Sequence, residues 1–231
     1  CSLVVYDSIL NDVADEDERH KVSSRGWALG YLGGGLLLAV NLALVSIKPF
    51  GLTTAEAVRI CLVSAGVWWA AWTIVPYLRL RDRQPLAVEP VSGGVLGVAF
   101  AQLRGTLAHA RNYPNTLLFL AAYLFYNDGI QTVLYASSTY GNRQLGLSES
   151  TLIVAILTVQ FVAFGGALLL GRIAQRVGAK PVILGSLLLW AAVVAAAYFL
   201  PERRILPFLL LAIAIGLVLG GSQALSRSLY S

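Results

Sequence analysis

Six apolar runs, each about long enough to cross a bilayer, follow one another along this chain with short charged connections between them. They fall at about residues 26–47, 55–80, 113–141, 150–170, 182–200 and 206–226. A hydrocarbon layer about 30 Å thick takes roughly 20 residues of helix at 1.5 Å per residue. Within that layer every backbone N–H and C=O must be satisfied inside the segment. The sequence therefore predicts an all-α integral membrane protein, a helical bundle with six transmembrane helices here and the end of a further one at residues 1–10, CSLVVYDSIL. Composition agrees: 57% of the 231 residues are hydrophobic, 13% are charged and the mean hydropathy is +0.71, too apolar for an ordinary soluble domain.

The net charge of +5 raises the question of nucleic acid, but the Lys and Arg residues are scattered through short connections and form no patch interleaved with aromatics. Membrane topology explains them better. Twelve of the 17 lie on the side that holds both chain ends and the 81–112 segment, while Lys48, Arg59, Arg143, Arg203 and Arg204 lie on the other. By the positive-inside rule both ends are expected in the cytoplasm. Cys1 and Cys61 stand in no metal-ligand or redox spacing and are assigned no chemistry. With no methionine and a start at Cys1 inside an apolar run, the sequence reads as a piece of a longer polypeptide; a lipoprotein, whose mature chain also begins with cysteine, fits six spans poorly.

In chain order, the charge run from Asp15 to Arg19 reads as a solvated turn leading into a helix, with His20 an exposed loop residue rather than a ligand. Gly26, Gly30 and Gly34 recur every fourth residue in the first span and predict a close-packing face. In the second span Trp68 and Trp72 share a face by the same spacing, either lining a cavity or packing as ordinary aromatics. Residues 81–112 are first hydrophilic and then amphipathic, with Leu96, Phe100, Leu103 and Leu107 on one stripe and Arg104, His109 and Arg111 on the other, as in a helix lying along a membrane surface. Gln160 sits near the centre of the fourth span. Gly216 and Gly220 give the sixth another close-packing face, with Gln223 and Arg227 adding polarity toward its end.

The third span holds Tyr126, Asn127, Asp128 and Gly129 where polar groups are expensive. Entering near Asn115, a helix carries Asp128 roughly 20 Å into the layer. A carboxylate at mid-bilayer costs on the order of 3 kcal/mol even on the gentler scales, so a chain that keeps one there usually uses it. A helix end lying shallower than this would remove the oddity, and a break at Gly129 would let water or solute reach the acid.

Three stretches carry a resemblance: ERHKVSSRGWALGYLGGGLLL at 18–38, AAYLFYNDGIQTVLYASSTYG at 121–141, and the closing GGSQALSRSLYS. Together they resemble the vacuole-effluxer branch of the major facilitator superfamily, also called the unknown major facilitator family. The run GRIAQRVGAK at 171–180 is similar to the superfamily's cytoplasmic loop motif, with Gln175 where an acid is usual. The resemblance implies a major-facilitator-type bundle of twelve spans in two halves, of which this chain would hold about the fifth to the tenth. Residues 1–80 would then end the N-terminal half, 81–112 form a cytoplasmic amphipathic linker, and 113–231 supply the first four spans of the C-terminal half.

Such a protein would be a secondary active transporter, moving a small solute such as an amino acid by alternating access with proton coupling. The resemblance implies that Asp128 exchanges a proton or pairs with a cationic part of the solute, beside Tyr126 and Asn127 of the same motif and with Gln131 and Gln160 as hydrogen-bonding neighbours. Gly171, Arg172, Arg176, Gly178 and Lys180 of the loop motif would hold helix ends and bias the conformational equilibrium; positive-inside topology alone is the other reading. The expected partners are the solute, the lipid bilayer and the missing remainder of the polypeptide, with no nucleic acid, cofactor or metal. Short loops and an Ala- and Leu-rich composition suggest a bacterial inner membrane. An enzyme would need a catalytic constellation, and the sequence offers no His–carboxylate pair at helical spacing, no His cluster and no nucleotide loop. A scaffold or sensor that keeps the transporter fold is the remaining alternative.

Overall fold

The computed structural model describes residues 10, 14–15, 18–79, 95–110 and 112–230. They form seven long α-helices: α1 (Arg19–Ile47), α2 (Thr54–Arg79), α3 (Val95–Ala110), α4 (Pro114–Arg143), α5 (Glu149–Val177), α6 (Ala179–Tyr198) and α7 (Ile205–Tyr230). All except α3 are long and apolar enough to cross a membrane, so the protein is an all-α, multi-pass membrane protein. The helix end expected at 1–10 and the hydrophilic stretch at 81–94 lie outside the described residues, apart from Leu10.

The helices overrun the apolar stretches because a helix keeps its backbone bonds where charged side chains are already in water. Thus α1 begins at Arg19, and His20 is not a loop residue: it is half-buried on the first turn, with Nδ1 2.8 Å from Ser228 Oγ on α7. Likewise 171–177 is no loop but the last two turns of α5. The whole connection to α6 is Gly178, whose φ of +88° reverses the chain in one residue while its N–H donates to the Ala174 carbonyl at 2.8 Å. At its other end α5 is capped by Ser148, whose hydroxyl accepts from the Thr151 N–H at 3.4 Å, with Glu149 in the first turn.

Two compact units divide the chain, 1–49 with 126–231 and 50–125. In the first, α7 is central and packs most extensively on α5, then on α6 and α1, while α1 also runs along α5. Between helices in lipid there is little hydrophobic drive, so small residues that allow close approach decide the seams. The α5–α7 seam is built that way. Ala163 and Ala167 are fully buried, and a Cβ at Gly216 would stand 2.9 Å from the Val159 carbonyl oxygen. Gly220 likewise lies against the Ala163 carbonyl and Gly166 against the Leu217 backbone. The close-packing face expected from Gly216 and Gly220 is present.

The face expected from Gly26, Gly30 and Gly34 is present only in part. Gly34 lies close against Gln160 of α5, but Gly26 is exposed and Gly30 has open space around it, whereas Ser23, Ser24, Ala28 and Gly35 are the buried positions. Serine and alanine are small enough to serve, so glycine spacing alone marked the packed stripe incompletely. Side chains from α4 complete this unit: Ile130 packs with Trp190, Val193, Ile215, Val218 and Leu219, and Gly141 abuts Leu152 and Phe208.

In the second unit the Trp68 and Trp72 rings meet edge to face at 5.8 Å, as their spacing predicts, with Trp72 largely exposed. Helix α3 is helical as expected; Phe100 is 70% exposed and Arg104 is also exposed. The side chains of Leu96, Leu103 and Leu107, and Arg111 altogether, lie outside the described ones.

Candidate functional site

A cavity of about 1030 Å³ opens within the first unit, walled by α1, α4, α5, α6 and α7. Most of its wall is aliphatic, which makes its few polar groups conspicuous. Gln131 of α4, Gln160 of α5 and Gln223 of α7 contribute amides, and Tyr31 and Trp27 of α1 contribute a phenol and an indole. Trp27 and Tyr31, four residues apart, face the cavity together with ring centroids 5.9 Å apart. The Tyr31 hydroxyl donates to Gln223 Oε1 at 3.0 Å and so ties α1 to α7 across the wall.

Gln160 can reach α1 because Gly34 has no side chain: a Cβ there would come within 2.9 Å of its Nε2. The Trp27 indole N–H is buried and has no hydrogen-bond partner among the described residues, an uncommon condition for a donor. Glu202 is the one carboxylate on the wall, and no Lys, Arg or Asp lines it among the described residues. Chemically the site offers amides that both donate and accept, an indole donor and a large apolar surface.

Of the residues singled out in the sequence, Gln131 and Gln160 are thus brought together on one cavity. Tyr126 stands just off it. Its hydroxyl donates to Ser226 Oγ at 2.6 Å, and Ser226 in turn donates to the Ser222 carbonyl at 2.6 Å, which fastens α4 to α7. Asn127 is half-buried, and Asp128 is exposed on a face of α4 that is not part of the cavity wall. The helix passes through Gly129 without a break.

At the basic end of the unit, Gly171 is buried where α1 crosses α5, and Arg172 lines a second, small pocket with Lys21, Ser24, Arg25 and Gln175. Arg176 and Lys180 are exposed on either side of Gly178.

Sequence reasoning missed Trp27, Tyr31 and Gln223 as cavity residues. Gln223 carries the same signal that marked Gln160, an amide in an otherwise apolar helix. The aromatic pair does not, because Trp and Tyr also suit the bilayer interface. Replacing Tyr31 with Phe removes one hydrogen bond and little volume, and is expected to cost about 0.6 to 1.5 kcal/mol. A double-mutant cycle with Gln223→Leu, read by thermal denaturation of the full-length protein, should recover a coupling of that size; a coupling of zero would mean the bond contributes nothing.

Comparison with known proteins agrees with these features. Residues 8–231 match the family described as vacuole effluxer Atg22 like. An uncharacterized MFS-type transporter, YxiO of Bacillus subtilis, is 30% identical over 231 residues, which cover 99% of this chain and 53% of that protein. Autophagy-related protein 22 of Cryptococcus neoformans is 30% identical over 229 residues, covering 91% of this chain and 41% of its own length. Autophagy-related protein 22-1 of Aspergillus niger is 29% identical over 230 residues, covering 91% and 37% respectively. The chain spans about half the length of the first of these relatives and less of the other two. No solved structure matches it. On the match across residues 8–231, the chain belongs to the vacuole effluxer Atg22-like family.

Proposed function

We propose that this chain is part of a secondary active transporter that moves a small solute such as an amino acid by alternating access, with the solute received in the cavity described above. The observation that carries the reading is the convergence of Gln131, Gln160, Gln223 and Tyr31 on one cavity of about 1030 Å³. That is the size and character of a small-molecule site, mostly apolar with a few placed polar groups. An acceptor group on the solute would satisfy the buried Trp27 N–H, and the amides would hold donors and acceptors alike. In this reading residues 1–80 end the N-terminal half, 81–112 form the cytoplasmic linker, and 113–231 open the C-terminal half. The Tyr31–Gln223 bond then crosses the seam between halves that must part in the transport cycle. Both chain ends lie in the cytoplasm, in a bacterial inner membrane.

Coupling to protons is assigned to Asp128, with Tyr126 and Asn127 setting the position of that turn of α4. Its carboxylate stands outside the cavity wall, so it acts on a face of α4 apart from the solute amides. In proteoliposomes of the full-length protein, Asp128→Asn is expected to abolish the dependence of amino-acid uptake on an imposed pH gradient. Uptake by the variant that still follows the gradient would sink the coupling role, and wild-type vesicles that take up nothing would favour a scaffold or sensor. Arg172, Arg176 and Lys180 with Gly171 and Gly178 are assigned to the helix ends that move in the cycle.

A further inference from the structure

The small pocket at the basic end of the first unit is unlike the large one. It measures about 90 Å³ and lies where the first turns of α1 cross the last turns of α5, lined by Lys21, Ser24, Arg25, Gly171, Arg172 and Gln175. Three side chains carry positive charge and one carries a neutral amide. Ser24 is only 2% exposed, packs its hydroxyl onto Gly171, and has no hydrogen-bond partner for that oxygen among the described residues. A buried hydroxyl left unsatisfied beside three cations is expensive, and an anion that accepts from it removes the cost.

The pocket's positive charge comes from its side chains and not from the helix end, where the N-cap Glu18 and the acids that precede it in the sequence offset the N-terminal partial charge of α1. Glu18 pairs with Lys21 at 3.0 Å, which offsets one of the three charges and leaves Arg25 and Arg172 facing the pocket without a carboxylate in its lining. By volume the pocket exceeds the room one water needs several-fold, enough for a tetrahedral oxyanion.

We infer that this pocket binds a phosphate group, held by Arg172, Arg25 and Lys21 with the Ser24 hydroxyl as its buried donor. The same phosphate chemistry is offered by an anionic lipid headgroup and by free phosphate. Basic pockets between transmembrane helices at the headgroup level commonly take the former. Bound there, the anion bridges α1 and α5 and stabilises their crossing at Gly171. The inference does not rest on the transport reading, and its test measures binding alone.

The full-length protein is reconstituted in nanodiscs and its melting temperature is followed in two arms. In one, phosphatidylcholine discs are titrated with inorganic phosphate against chloride at matched ionic strength. In the other, phosphatidylcholine discs are compared with discs containing phosphatidylglycerol, without free phosphate. The melting temperature is expected to rise in at least one arm, and which arm responds identifies the source. The double variant Lys21→Gln, Arg172→Gln should lose most of the rise, and Arg204→Gln, at the opposite end of the bundle, should keep it. Ser24→Ala, which removes only the unpartnered hydroxyl, is expected to weaken the apparent affinity about tenfold. No rise in either arm, or a rise that the double variant retains in full, overturns the site.

Discussion

Gly220→Val is expected to destabilise the protein by about 1 to 3 kcal/mol or more, because the added side chain has nowhere to go. At Gly220 a Cβ would press on the Ala163 carbonyl oxygen and come within 3.0 Å of the Ala167 Cβ. Neither group can rotate away: one is backbone in mid-helix and the other is the whole side chain. Relief requires α5 and α7 to separate, which loosens the seam that also carries Gly216 and Gly166. The informative control is Gly185→Val on α6, where a Cβ would meet nothing within 4 Å. Thermal denaturation of the full-length protein in detergent should show a clear drop for Gly220→Val and almost none for Gly185→Val. Equal melting temperatures would mean that close approach of α5 and α7 does not hold the bundle together.

These glycines also mark how far the sequence could be read. Six spans were legible because the bilayer sets their length and the chain has no cheaper way to satisfy its backbone there. Gly216 and Gly220 were legible as a seam for the same reason that Gly30 misled: spacing identifies a small-residue stripe, but in a helix that is apolar all round it does not say which stripe meets a partner. Only the packing of Ser24 on Gly171 and of Gly34 and Gly35 on Gln160 of α5 decides that for α1. Residues 171–177 looked like a loop because they are charged, yet Gly178 makes the turn alone and leaves them helical.

The site was half legible. Gln131 and Gln160 stood out as amides in apolar helices, and both face the cavity. Asp128 stood out more strongly, and here the depth argument gave a position along the helix axis but none around it. One residue of rotation is about 100°, enough to carry a side chain from a cavity wall to an open face. Tyr31 and Trp27 carried no signal of their own, since their membership of the site comes from the way α1 lies on α5 and α7.

The larger functional effect is expected from Gln160. It lies on the cavity wall against Gly34, where leucine keeps much of its volume but neither its donor nor its acceptor. A site that relies on such a group to hold a solute loses roughly 1 to 3 kcal/mol when it is removed. That corresponds to a fall of about tenfold or more in uptake at limiting solute. Gln131→Leu on the facing helix should act in the same direction, and the two together should exceed either alone. Because neither amide is hydrogen-bonded to another residue among the described ones, no partner is left unsatisfied and the melting temperature should barely move.

The most direct test of the cavity as the solute site is uptake of a labelled amino-acid mixture into proteoliposomes of the full-length protein, comparing wild type with Gln131→Leu, Gln160→Leu. Wild-type vesicles should accumulate label, and the double variant, still folded by its melting temperature, should accumulate at least about tenfold less. Uptake by the folded double variant at the wild-type rate would contradict the assignment of this cavity to the solute.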